Sequence, residues 1–213
     1  MIVATATHTL YMSELRRVWA SQKDSAHDLA HVKRVWHNCQ TIAQAEGADL
    51  RVLHPAALFH DIINPPKSSP KRSEASYLSA NYAAEYLKTT RYPAALLENV
   101  HHSIHAHSYS ANIRPETLEA QVLQDADRLD ALGAIGIARC FAVSGQLGRT
   151  LFHPTDPMAK DRELDESTYA LDHFQTKLFN IAETLCTSTA RVMAAERVGF
   201  MRQFCETLTD EAC

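Results

Sequence analysis

The chain contains no stretch of about 18 consecutive apolar residues, the length a membrane-spanning helix needs, so no span is expected. Its first residues, MIVATATHTLYM, carry neither a basic segment nor a long apolar one, which excludes a signal peptide as the expectation. Cysteines are odd in number, five in all (Cys39, Cys140, Cys186, Cys205, Cys213), and no CxxC occurs. A disulfide framework or a zinc ribbon is therefore not expected, and a reducing, cytoplasmic setting fits better. Each thiol reads as a small core hydrophobe or a surface group. No charge of one sign dominates: the net charge is −4 with histidine neutral. That balance gives no basic field for duplex nucleic acid and no polybasic arm for a membrane, although a local cationic pocket could still take a phosphate. No alternating run of convincing strand length, no internal repeat and no low-complexity tract is present.

What is present is a helical pattern over a composition able to build a core: 46% hydrophobic and 22% charged in 213 residues, a length that predicts one domain. From Ser25 to Ala45, Leu29, Val32, Val35, Trp36, Cys39, Ile42 and Ala43 recur at three- and four-residue steps, and Gly47 stops the helix. Pro55 reads as the first turn of the next helix, and Pro65-Pro66 as its end. Further helices are predicted over Ser73–Lys88, from Tyr92-Pro93 through Leu97, Val100, Ile104 and His107, and from Pro115 through Ala126. Residues 142–165 hold two glycines, two prolines and many charges. They read as a long loop of the kind that often forms a lid. Helices return over 167–212, with a cap for the last of them in TSTARV. The expected fold is all-α, about eight or nine helices on one core, as a single domain spanning 1–213.

Histidine is abundant, with 12 copies clustered largely between His27 and His107. Four segments stand out: HDLAH at 27–31, HD at His60-Asp61, HSIHAHS at 102–108 and QDADRLDALGAIG at 124–136. The last sets Asp125, Asp127 and Asp130 in an otherwise apolar helix, with Asp127 and Asp130 on nearly one side. The structural alternative for these aspartates is a cap or an ion pair with Arg128 or Arg139; it weighs least for Asp127 and most for Asp125. Gly133 and Gly136 would allow a close backbone approach. His60-Asp61 closes the apolar run AALF, where an unpaired charge would be costly. Imidazole and carboxylate together suit a divalent transition metal, Mn²⁺ or Mg²⁺. Two inward histidines and two inward aspartates from three helices would leave coordination positions for water and substrate.

The order His31, then His60-Asp61, then Asp127, with helices between, resembles the HD superfamily of metal-dependent phosphohydrolases. The surrounding segments HDLAHVKRVW, AALFHDI, AHSYS and QDADRLDALGAIGIAR look like its short single-domain bacterial branch, over residues 27–140 and more loosely through the C-terminal helices. The bare dipeptide is weak evidence; the four-residue order with DADRLDALGA is strong. The earlier dipeptide His27-Asp28 lies too soon in the chain, so His31 is read as the ligand, His27 as its support, and Asp28 as a helix cap. The resemblance implies a divalent cation held by His31, His60, Asp61 and Asp127, without distinguishing Mn, Mg, Co, Ni, Zn or Fe. It implies hydrolysis of a phosphate ester or anhydride of a small molecule, nucleotides included, by a phosphatase or pyrophosphohydrolase reaction. Asp61 would hold the metal, and Asp127 would hold it while orienting or deprotonating water. Lys67 would neutralise phosphoryl charge, with Arg72 and His107 as further substrate contacts. His101, His102 and His105 read as a solvated face, and Arg191 and Arg197 as surface charge. Where related nucleotidases carry an acid after the dyad, this chain has IINPPK, so no general acid is carried over. A di-iron oxygenase on the same fold, or a metal-stabilised nucleotide-binding protein without catalysis, are the competing readings. A homodimer is compatible with the sequence.

Overall fold

A computed structural model describes residues 5–20, 28–65, 73–108 and 111–212. Among them the chain forms nine α-helices and no strand, with one isolated parallel bridge between Thr150 and Tyr169. The fold is thus all-α, as the periodicity predicts. The chain divides into two compact units, Met1–Asp127 and Arg128–Cys213.

The first unit is built around α3, Leu50–Phe59, which packs on α1 (Thr5–Trp19), α2 (Leu29–Glu46), α4 (Ala75–Lys88) and α5 (Leu97–His107). Every residue of α3 from Val52 to Phe59 is buried. A helix apolar on all sides has to be surrounded by others, and burying side chains such as Leu53, Leu58 and Phe59 contributes about 1.5–3 kcal/mol each. The helix starts five residues earlier than Pro55 predicts. Asp49 is its N-cap, accepting from the Arg51 N–H at 2.8 Å, and Pro55 lies inside. A proline there cannot donate to the carbonyl four residues back, which is that of Arg51. The Tyr92 hydroxyl donates to this oxygen instead, at 3.0 Å. The helix also ends before the prolines, at Phe59, and a turn of Asp61–Ile63 follows. In that turn the Trp19 indole donates to the Ile62 carbonyl at 3.1 Å, and the Ser79 hydroxyl accepts from the Ile63 N–H at 3.1 Å.

α2 begins at Leu29 with Asp28 as its cap and ends at Gly47, which takes φ +82° as a left-handed stop. Ser25 and His27 lie outside the described residues. α6, Leu118–Leu129, follows Pro115 by three residues. His54, on α3, is buried against Trp36 and shares a hydrogen bond with His8, ring nitrogens 3.0 Å apart. Burial first, and the neighbouring His8 second, push its pKa from 6.5 down to about 4. Below 6.5 the unfolded chain therefore binds a proton that the folded chain refuses, and stability falls as pH drops toward 4. About 2 kcal/mol should be lost from this residue between neutral pH and about pH 5. Urea unfolding of the wild type and His54→Phe across that range should show the steeper loss in the wild type; parallel slopes would refute it.

The second unit contains α7, Gly133–Gln146, packed on α9, Ser188–Ala212. The short α8, Phe179–Ile181, continues a π-helical turn at Phe174–Leu178 and runs into a 3₁₀ turn at Ala182–Thr184. The predicted loop starts later than expected, because α7 runs on to Gln146, and it ends at Leu171. It is firmly tied. Arg162 donates two bonds, at 2.6 and 2.7 Å, to the fully buried carboxylate of Asp172, which also accepts from the Asp165 N–H. Asp156 accepts from the N–H groups of Lys160 and Asp161. The cap of α9 falls as expected at Thr187, whose hydroxyl accepts from the Ala190 N–H at 3.3 Å. Arg197 is not surface charge. It is half-buried, donates to the Leu129 carbonyl, and lays its stem against Gly133.

Candidate metal centre

Within the first unit, three helices and one turn deliver the expected residues to one place. His31 stands in the first turn of α2, oriented by the Asp28 cap, which accepts from the His31 N–H at 2.8 Å. His60 is the C-cap of the buried helix α3, and Asp61 follows it in the turn. Asp127 projects from α6. That helix is braced by the buried Asn38 amide, which donates to the Ala126 carbonyl at 3.0 Å. His107, at the end of α5, completes the group; beside it, Gln124 donates to the Ala106 carbonyl at 2.8 Å.

The His31 and His60 Nε2 atoms are 3.2 Å apart. Asp127 Oδ1 lies 3.4 Å from His31 Nε2 and 3.9 Å from His60 Nε2. Asp61 Oδ2 lies 3.6 Å from His60 and 3.9 Å from His31, while its Oδ1 is 3.6 Å from His107 Nε2. Both imidazoles of the pair are almost fully buried, whereas the Asp61 and Asp127 side chains keep 18% and 29% exposure. The carboxylates thus form the solvent side of the cluster. Among the described residues, two sets of ligand atoms lie within 4.8 Å of one another: His31, His60 and Asp127, and His60, Asp61 and His107.

Protonation is set by the backbone around the rings. His60 Nδ1 donates to the Ala57 carbonyl at 2.8 Å, and His107 Nδ1 to the Ile104 carbonyl at 2.6 Å. Each therefore presents Nε2 to the cluster. Burial pushes the His60 pKa down to about 4, against the opposing pull of Asp61, so its Nε2 is a bare lone pair at neutral pH. Burial raises the Asp127 carboxyl, but the hydrogen bond and charge of His31, with His60 and His107, outweigh it and hold Asp127 well below the usual carboxylate range. For His107 burial lowers the pKa, and the hydrogen bond and charge of Asp61 more than reverse that. Lone pairs on imidazole nitrogen and ionised carboxylate oxygen face one another at these separations. This donor chemistry fits a divalent cation of the first transition row or Mg²⁺.

The remaining expectations divide. Lys67, Lys71 and Arg72 lie outside the described residues. His101 pairs with the Asn81 side chain at 2.9 Å, and His102 accepts from the Glu116 N–H at 2.9 Å, so neither joins the cluster. Asp130 is a structural acid, 2% exposed and bound to Arg139 at 2.8 Å. Asn38 and Gln124, which fix the backbone beside Asp127 and His107, were not anticipated; a polar residue on each helix's buried stripe was the available signal.

A profile of the HD domain matches residues 28–132, the span that holds all five clustered residues. The chain belongs to the HD-domain family. It is 33% identical over 207 residues to Bacillus subtilis YpgQ, an uncharacterized protein, covering 93% of both chains. Its structure resembles an HD-superfamily hydrolase of Bacillus thuringiensis at 29% identity, TM-score 0.74, covering 97% of this chain and 96% of that one. YpgQ solved in complex with ADP superposes with TM-score 0.70 at 33% identity, covering 93% of this chain and 96% of the other. Among the described residues no helix is long and apolar enough to cross a membrane.

Proposed function

We propose that the chain is a metal-dependent hydrolase of phosphate ester or anhydride bonds, acting on a nucleotide, with His31, His60, Asp61 and Asp127 as the residues that would hold a divalent cation. The carrying observation is the convergence of these four side chains from α2, the end of α3 and α6. A cation bound there would acidify a coordinated water and polarise a phosphoryl oxygen. Asp127, kept ionised by its histidine neighbours, would orient the attacking water as a charged hydrogen-bond acceptor. His107, raised in pKa by Asp61, offers a donor to a phosphoryl oxygen. Lys67 and Arg72, in the segment after the turn, would neutralise charge on the transferred group. The nucleotide class is supported by the ADP complex of the related YpgQ.

The test is release of phosphate or pyrophosphate from a nucleotide panel after chelation and re-addition of Mn²⁺, Mg²⁺, Co²⁺, Ni²⁺ or Zn²⁺. Turnover should vanish on chelation and return with at least one ion. Turnover that survives exhaustive chelation would overturn the reading. The second ligand set, His60, Asp61 and His107, is the specific feature favouring the di-iron oxygenase alternative. Two irons per chain with oxygen uptake, and no phosphate release, would establish that instead.

A further inference from the structure

We propose that the cavity enclosed by α1, the start of α3 and the α4–α5 connection is a second ligand site, separate from the metal cluster, for a small planar aromatic molecule carrying one negative charge. The cavity measures about 760 Å³ and lies wholly within the first unit. That volume is in the range of small-molecule sites. None of His31, His60, Asp61, His107 or Asp127 lines it. His54, in its wall, lies six residues before His60 on α3, roughly 9 Å along the helix axis.

Its chemistry defines the ligand. Leu10, Tyr11, Tyr86 and Pro93 give apolar and aromatic walls suited to a flat ring. Tyr11 is 3% exposed, yet its hydroxyl makes no hydrogen bond with any described residue. A buried tyrosine hydroxyl ordinarily finds a partner, and this one lines open space rather than sealed core. Burial, and then Tyr86, push its pKa up to about 12, so it remains a phenol able to donate to an anionic oxygen. Two arginines also line the cavity. Arg51 is spent on Asp49 at 2.7 Å, whereas the exposed Arg91 has no ion pair or hydrogen bond with any described residue. Arg91 is thus the cation available to an anion seated against Tyr11. His54, which also lines the cavity, is kept uncharged at neutral pH by burial.

The probe is anilinonaphthalene sulfonate, an aromatic monoanion, titrated against the full chain by fluorescence. Saturable binding of one probe per chain is expected. Tyr11→Phe and Arg91→Ala should each weaken it at least about tenfold, the scale of one hydrogen bond to a charged group. Thr89→Trp, which puts a ring into the lining, should abolish it. Far-ultraviolet circular dichroism and the thermal midpoint should match the wild type in all three, and Asp61→Ala should bind the probe normally. That last arm separates this site from the proposed reaction. No saturable binding, or binding that Tyr11→Phe and Arg91→Ala leave within about twofold, would overturn the proposal.

Discussion

Asp61→Ala is expected to lower nucleotide turnover at least ~10³-fold, equivalent to roughly 4 kcal/mol of lost transition-state stabilisation, and to abolish stoichiometric Mn²⁺ binding. The size follows from its position. Asp61 links two histidines of the cluster, with one oxygen 3.6 Å from His60 and the other 3.6 Å from His107. Alanine would remove a ligand and a negative charge together. It would also release His107, whose raised pKa depends on Asp61 against the downward push of burial. Asp127→Asn is the sharper companion. It keeps the side-chain shape but removes the charge that His31, His60 and His107 stabilise. Metal affinity should drop less than for Asp61→Ala, while turnover falls comparably, because the neutral amide no longer offers a charged acceptor to orient the water. Calorimetric titration with Mn²⁺ beside turnover at saturating metal separates the two effects. Wild-type turnover in either variant would remove the proposed centre.

The four residues could be named because their order, His31, then His60-Asp61, then Asp127, resembles the HD superfamily; interrupted apolar periodicity only marked where to look. His60-Asp61 closes a run in which every residue is buried, and Asp127 breaks the stripe of Val122, Leu123 and Ala126. His107 could be placed by the spacing of Val100 and Ile104 on the same helix. The fold class was legible from the apolar periodicity itself. What stayed hidden depends on partners distant in the chain. Pro55 reads as a helix start because proline is favoured there, and only the Tyr92 hydroxyl, 37 positions on and bonded to the Arg51 carbonyl, makes it tolerable mid-helix. The His8–His54 pair spans 46 positions, and His54 looks like an unremarkable member of an apolar run. Arg197 reads as solvated until the carbonyl of Leu129 and the bare face of Gly133 meet it.

Gly136→Ala is expected to cost about 3–5 kcal/mol, enough to deplete the folded state at physiological temperature. QDADRLDALGAIG requires small residues for two different reasons. Gly133 opens α7 with φ +71°, a conformation that favours glycine, and a β-carbon there would sit 3.2 Å from the Arg197 stem. That neighbour is a flexible side chain and can yield. At Gly136 the obstacle is backbone: an added β-carbon would lie 2.1 Å from the Ala131 carbonyl oxygen. Ala131 belongs to the tight turn between α6 and α7, held by its own N–H to the Arg128 carbonyl at 3.1 Å and by the Leu132 N–H to the Leu129 carbonyl at 3.1 Å. Relief requires opening that turn. Alanine's better intrinsic helix propensity, worth about 1 kcal/mol over glycine, opposes the clash but does not match it. Gly145→Ala, on the same helix with nothing within 4 Å of the new β-carbon, should instead be neutral or stabilising. Urea unfolding of the two variants side by side decides the matter. Equal midpoints would show that the turn after α6 yields freely, and that the glycine at 136 is not required by the close approach of Ala131.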